Sequence, residues 1–403
     1  MKLSNLRALA EILGSRVLIV VFAAVTDVLV ARVMTLESRG LFSSLQGSIL
    51  LLAGLCTLGL EYGFLLTPDL PGLRPLLARY RRSAAVLVPL GAVLTAGFIW
   101  RYHLGLWQGV AAGLITAAEI FTILLLPLIL QYRGSGSFGF VRILRRGLLF
   151  AGVGALALLP GFTPVSLEAA LAMHALAWLI AAGFAAYYVA RSVSGGGEAT
   201  PPRLLTLWRH GANVFLAKYA ERAHSKVGLL VLGMAGAAEA AAFFAVASLA
   251  VDLSIFIAGS LSIAVITRRD EGALLGGREL RLVSLAVIAM NLVVGVAIWF
   301  LTAPLVARIY GDAYLPVVPL VKLLVPGLVL YGAYPLYSTH LLKVRRTRLV
   351  LVGNFSALAL NLAIGVLLMA LGRTSPAQAV SIGLLAGLLV NVFSVGSASL
   401  RRR

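Results

Sequence analysis

Apolar residues run along this chain in blocks of about 20, the length a helix needs to cross a hydrocarbon layer roughly 30 Å thick at about 1.5 Å per residue. Twelve blocks occur, at 12–34, 41–66, 84–103, 108–130, 141–160, 168–190, 210–233, 240–266, 282–307, 316–341, 349–371 and 378–398, separated by short polar gaps. The pattern predicts an all-α membrane protein of about twelve transmembrane helices, with no soluble domain of any size. The first block follows a basic N-terminus (MKLSNLRALAEILGSR) and has no small-residue cleavage site after it. It is therefore read as a first span and not as a removable signal peptide.

The seventh block breaks the smooth apolar pattern: NVFLAKYAERAHSKVGLLVLGM holds Lys218, Glu221, Arg222, His224 and Lys226. Charge elsewhere decides how to read it. Lys and Arg cluster in alternate gaps: Lys2 and Arg7; Arg74, Arg79, Arg81 and Arg82; Arg133, Arg142, Arg145 and Arg146; Arg191, Arg203 and Arg209; Arg268, Arg269, Arg278 and Arg281; Lys343, Arg345, Arg346 and Arg348; and Arg401 to Arg403. The other gaps hold only Arg32, Arg39, Arg101, Arg308 and Arg373. An excess of Lys and Arg marks the cytoplasmic face, which places both termini and the basic loops there. The basic gaps that flank 210–266 must then lie on one side, so an even number of crossings separates them. Residues 227–266 are too few for two crossings, and the charged segment must itself cross.

Composition agrees with lipid as the main solvent, since 60% of the 403 residues are apolar and 12% charged, with a mean hydropathy of +0.98. A net charge of +19 would suggest nucleic acid in a soluble protein. Its confinement to alternate loops points to topology instead, and no nucleic-acid partner is expected. The single cysteine, Cys56, excludes a disulfide within the chain and a cysteine-based metal site. The stretch RSVSGGGEATPPR near the middle reads as a linker. The expected organisation is a six-helix bundle over 1–190, a cytoplasmic linker over 191–209 and a second six-helix bundle over 210–403. Because six is even, a pseudo-twofold axis would run along the membrane normal.

Enzyme motifs are missing. The chain has no G-x-x-x-x-G-K-[ST], H-E-x-x-H, C-x-x-C or G-x-S-x-G, and its outward gaps, of about ten residues or fewer, leave no place for a catalytic domain. Neither catalysis nor a cofactor is expected, apart from H+ or Na+ as a coupling ion.

Ionisable residues at membrane depth are the functional pointers, because each costs about 2.5 to 3.5 kcal/mol to bury and so usually faces a bundle interior or a wet cavity. They are Arg16 and Asp27 in the first span, Glu61 in the second, Glu119 in the fourth, the seventh-span set, Asp252 in the eighth and Lys322 in the tenth. Lys218, Arg222 and Lys226 are spaced by four and form one stripe, with Arg222 near mid-membrane. One reading is a cationic ladder that binds an anion, with Arg suited to bidentate phosphate contacts and Lys acting as a point charge. The other is an internal ion-pair set built on Glu221 and the acidic spans; the two are compatible. Arg16 either joins the ladder's cavity or snorkels to the interface. Asp27, Glu61, Glu119, Glu221 and Asp252 are candidates for ion coupling or counter-charge, and His224 for proton carriage or simple packing. Tyr331, Tyr334 and Tyr337 recur every three residues. They suit sugar stacking or, as such patterns more commonly do, an interface belt or helix packing. Gly59/Gly63, Gly109/Gly113 and Gly383/Gly387 are small-xxx-small pairs that argue for close helix approach.

Three segments carry a family resemblance. ARVMTLESRGLFSSLQGSILLLAGLCTLGLEYGFL resembles the first-to-second span junction of the polysaccharide-exporter (O-antigen flippase-like, Wzx-type) branch of the multidrug/oligosaccharidyl-lipid/polysaccharide (MOP) flippase superfamily. LTAPLVARIYGDAYLPVVPLVKLLVPGLVLYG is similar to its ninth-to-tenth junction, with a Gly-acidic turn at Gly311 and Asp312, and NFSALALNLAIGVLLMALG to its eleventh span. The resemblance implies a MATE-like fold of two six-helix bundles around a central cavity that opens alternately to each side. It implies a polyprenyl-diphosphate-linked oligosaccharide as substrate, flipped from the cytoplasmic to the outer leaflet for surface polysaccharide biosynthesis. Membrane lipids and polysaccharide-assembly proteins would be partners, in the cytoplasmic (inner) membrane of a bacterium or archaeon. Basic residues of the first and seventh spans would hold the diphosphate, which assigns substrate binding to Arg16, Lys218, Arg222 and Lys226; Lys322 is added as a further cation. Two alternatives stand beside it. A MATE-type organic-cation antiporter should line its cavity with carboxylates, against the net positive charge here. A membrane enzyme such as a polymerase should carry an outer loop that this sequence lacks.

Overall fold

The computed structural model describes residues 3–66, 73–100, 104–161, 163–192, 204–267, 277–344 and 346–400. Every regular element among them is helical: α1 (Leu3–Val33), α2 (Leu36–Thr57), α3 (Leu60–Leu66), α4 (Leu73–Trp100), α5 (Leu106–Arg133), α6 (Ser135–Leu158), α7 (Leu167–Ala190), α8 (Leu204–Met234), α9 (Ala238–Thr267), α10 (Gly277–Ile309), a 3-10 turn (Asp312–Tyr314), α11 (Val317–Tyr331), α12 (Tyr334–Lys343), α13 (Thr347–Ala370) and α14 (Pro376–Leu400). The pairs α2/α3 and α11/α12 are each one interrupted span, so the described residues form twelve membrane segments, and each overlaps one predicted block. Eight of the segments are long and apolar enough to cross a membrane by length and composition alone. The chain is a multi-pass, all-α membrane protein.

Helix ends differ from block ends in an informative way. α4 begins at Leu73 and α6 at Ser135, well before the apolar blocks at 84 and 141. Arginine is a good helix former, so a basic run continues a helix past the point where its apolar surface stops. A one-residue turn at Gly134 (φ 84°) lets α6 start directly after α5. Arg142, Arg145 and Arg146, counted with the basic loop although they open the fifth block, therefore lie two turns or more inside α6. Most of the predicted linker, residues 193–203, lies outside the described residues, as do 101–103 of the third block.

The chain divides into two compact units, one ending at Tyr219 and the other starting at Ala220, a division that falls within α8. In the first unit α1 runs along α6 in a regular register: Ser15 opposes Gly139, Phe22 opposes Gly147 and Phe150, and Leu29 opposes Gly154. Two apolar cores fill this unit. One gathers Phe42, Leu45, Ile49, Leu149, Val153 and Trp178, the other Ala53, Cys56, Phe64, Leu124, Val141 and Ala185. In the second unit α13 packs against α14, and α11 against α9, α10 and α14.

The break between α2 and α3 is made by Leu58 (φ 51°) and Gly59 (φ 77°). There the start of α8 comes very close: a Cβ on Gly63 would lie 2.3 Å from the Leu207 carbonyl oxygen, and one on Gly211 2.5 Å from that of Gly59. Gly383 and Gly387 are similarly pressed against the carbonyl oxygens of Asn361 and Ala357 at 2.4 and 2.7 Å. Among the described residues, a Cβ on Gly109 would by contrast meet nothing within 4 Å, so its spacing to Gly113 does not mark a close helix approach there.

Candidate functional site

α8 carries the ladder. With the apolar end of α8 at Met234 and about 1.5 Å per residue, Lys226, Arg222 and Lys218 lie roughly 12, 18 and 24 Å down the helix, within a hydrocarbon core of about 30 Å. Arg222 is exposed, and Lys218 and Lys226 are partly so. Each step of four residues keeps the three on one stripe. Lys226 Nζ donates to Asp252 Oδ2 of α9 at 2.6 Å, with 23% and 36% of the two side chains accessible. The end of the ladder nearer Met234 is thus an ion pair, and Asp252 acts there as counter-charge.

Glu221 points to another face. The Tyr334 hydroxyl sits 3.4 Å from Glu221 Oε2 and donates to Asn354 Oδ1 at 2.8 Å. Tyr331 and Tyr334 stack at 4.9 Å with 3° between their planes. Tyr337 packs against Gly396. All three tyrosines are buried, so in the second unit they serve packing and a hydrogen-bond network and do not form an interface belt. His224 is 2% exposed, stacks on Tyr331 at 6.5 Å and lies over Gly387. Asn361 Nδ2 donates to the His224 carbonyl oxygen at 2.9 Å, which ties α13 to α8. These asparagines have no periodic signature, and sequence reading missed them.

Lys322 stands apart from the ladder. Its Nζ lies 5.3 Å above the Trp299 ring of α10, a cation–π contact one turn or so into α11.

In the first unit, Asp27 forms an ion pair with Arg39, which is 2% exposed and also donates to Ser43 Oγ at 2.6 Å. Sequence reading placed Arg39 in a loop; the Thr35 cap on the Ser38 amide starts α2 early enough to bury it. Asp27 is thereby a counter-ion. Glu61 opens α3, 8% exposed and within electrostatic reach of the Tyr80 phenol. Glu119 is 4% exposed on α5. The Arg16 side chain lies outside the described residues; its neighbour Ser15 meets Gly139 of α6.

A second set went unrecognised in the sequence. Arg145 lies over the Trp178 ring at 4.1 Å, and charges on Arg146, Glu119 and Arg142 act on it. Trp178 Nε1 donates to His174 Nε2 at 2.9 Å, and the Gln46 amide is 2.9 Å from His174 Nδ1. The available signal was the spacing of Arg142, Arg145 and Arg146, one helical face running straight into the apolar block.

No protein-family model matches this chain, and no curated protein matches its sequence. Solved structures do match. A multidrug resistance MATE family transporter of the MOP superfamily, in an inward-facing conformation, aligns with a TM-score of 0.62 at 14% identity, over 94% of this chain and 93% of its own. The lipid II flippase MurJ, in an inward closed conformation, aligns with a TM-score of 0.67 at 13% identity, over 97% of this chain and 87% of its own. A MOP superfamily transporter from Pyrococcus furiosus, described as having a binding pocket of reverse polarity that suggests a different function, aligns with a TM-score of 0.57 at 15% identity, over 97% and 94%. This all-helical chain therefore has the fold of the MATE and MOP superfamily transporters.

Proposed function

We propose that this chain is a flippase that moves a polyprenyl-diphosphate-linked oligosaccharide from the cytoplasmic to the outer leaflet by alternating access, in the service of cell-surface polysaccharide synthesis. It acts in the cytoplasmic membrane of a bacterium or archaeon with both termini inside. The observation that carries this reading is Arg222, an exposed residue near mid-membrane between Lys218 and Lys226. Charge at membrane depth is costly in hydrocarbon, which favours a stripe that faces a water-filled cavity. Arg at that depth suits the bidentate geometry of a diphosphate, with Lys218 adding point charge and Arg16 contributing from the first span. The fold shared with a lipid II flippase supports the substrate class. Glu221 and Asp252, beside the ladder, are the candidates for coupling to H+ or Na+.

The second reading is export of organic cations, favoured by the fold shared with a multidrug resistance MATE transporter. It calls for carboxylates facing the ligand, whereas Asp252 is paired with Lys226 and Asp27 with Arg39.

Deletion of the gene separates the two readings. The flippase reading expects sugar-loaded carrier to accumulate in the inner leaflet and one surface polymer to be lost. Unchanged polymer together with drug hypersensitivity would favour the antiporter.

A further inference from the structure

The two apolar cores of the first unit meet at Phe121, which packs against both, and are parted elsewhere by polar side chains. Along α6, Val141 belongs to one core and Leu149 to the other, with Arg142, Arg145 and Arg146 between them. On α5 Glu119 falls between Ala118 of one core and Ile120 of the other, and on α7 Trp178 and Ala182 of the first core flank Ala181 of the second. Polar side chains of α5 and α6 thus lie at the boundary of the two cores. Leu149 and Val153 continue the face that holds the arginines, and both are buried, so this face of α6 looks into the bundle and not toward lipid.

Three guanidinium groups share this face of α6: the charges of Arg146 and Arg142 repel Arg145, and that of Glu119 attracts it. Beneath the arginines, Glu119, Trp178 and His174 are 4%, 4% and 8% exposed, while Arg142, Arg145 and Arg146 themselves stay partly accessible. The indole, the imidazole and the Gln46 amide form a hydrogen-bonded chain that fixes the ring on which Arg145 rests. Clustered guanidinium groups on one face, held in place and partly open, are the makings of an oxyanion site. At about 1.5 Å per residue, Arg145 and Arg146 lie roughly 18 to 20 Å from the Leu158 end of α6, well inside a hydrocarbon core of about 30 Å.

We infer that Arg145 and Arg146, braced by Trp178 and tempered by Glu119, form a second anion site, distinct from the α8 ladder, that holds an oxyanion of the lipid-linked glycan. The inference rests on the flippase reading. The oxyanion is a phosphate of the carrier or a carboxylate of an acidic sugar. Glu119 keeps the site from binding so tightly that the ligand cannot leave.

The test uses purified full-length protein in lipid nanodiscs and two probes, undecaprenyl diphosphate against undecaprenol, and methyl glucuronide against methyl glucoside. Arg145→Gln and Arg146→Gln should each weaken binding of one charged probe about tenfold, and the probe affected identifies the source of the oxyanion. Glu119→Gln should tighten binding of that same probe about threefold or more, because it removes the opposing charge. A merely structural role would not produce opposite signs. If the arginine variants do not fold, Glu119→Gln decides: tighter binding supports the site, and unchanged or weaker binding overturns it. Full binding in both arginine variants, with binding lost in Arg222→Ala, would overturn this site and leave the flippase reading standing. Wild-type protein that prefers neither charged probe would overturn both.

Discussion

Replacing Gly63 with alanine adds one methyl group at a place where there is no room for it. The new Cβ would stand 2.3 Å from the Leu207 carbonyl oxygen and 2.8 Å from its carbonyl carbon. Both neighbours are backbone, so no rotamer change relieves the clash, and α3 and α8 must separate by about 1 Å to reach ordinary contact. Overpacking of this kind costs about 1 to 3 kcal/mol, and separating the helices also gives up dispersion contacts along the seam. The gain of about 1 kcal/mol from replacing a helical glycine offsets only part of that. A net loss of about 1 to 2 kcal/mol corresponds to a fall of roughly 2 to 8 °C in the unfolding midpoint of a unit this size. Gly109→Ala is the matched control, since Gly109 lies inside α5 and a Cβ there would meet nothing within 4 Å among the described residues. It keeps the propensity gain without the clash and should melt about 2 °C above wild type. The assay is thermal unfolding of purified protein in detergent, followed by tryptophan fluorescence. A Gly63→Ala variant that melts with or above Gly109→Ala would refute the close approach of α3 and α8.

Lys226→Met leaves the Asp252 carboxylate without its 2.6 Å partner and should lower stability by about 1 kcal/mol, while Lys226→Met with Asp252→Asn recovers most of the loss; a thermal double-mutant cycle measures it. Tyr334→Phe removes the hydroxyl that donates to Asn354 and should destabilise by about 1 to 2 kcal/mol in the same assay, as expected for a buried acceptor that loses its donor. In a Cys56→Ser background, cysteines at Ser166 and Ser135, each at the N-terminal end of its helix and separated by the α6 crossing, should react with an impermeant maleimide from outside and inside respectively. Labelling of both from one side of intact cells would contradict twelve crossings.

The spans were legible because twenty consecutive apolar residues have few other uses, and even the charged α8 followed from the sidedness of its neighbouring loops. Helix ends were not legible, because hydropathy reports where apolar surface begins and arginine extends a helix without changing it. That is how Arg145 and Arg146 came to be counted with the basic loop. Spacing brought Lys218, Arg222 and Lys226 onto one stripe, but Lys226 finds Asp252 across 26 positions of sequence, on a different helix. Asp27 finds Arg39 in the same way. Such partners depend on how neighbouring helices are rotated, which periodicity within one helix does not encode. The glycine pairs make the same point: Gly59/Gly63 and Gly109/Gly113 have identical spacing, and only the packing tells them apart.

The central claim is that Arg222 takes part in moving a diphosphate-linked lipid. Its most direct measurement is flipping of a fluorescent polyprenyl-diphosphate oligosaccharide in proteoliposomes, with wild-type protein compared against Arg222→Lys and Arg222→Ala at matched reconstitution. Wild type should flip, Arg222→Lys should keep part of the rate because the charge remains without bidentate geometry, and Arg222→Ala should fall to the level of empty liposomes. Equal rates for wild type and Arg222→Ala would contradict the claim.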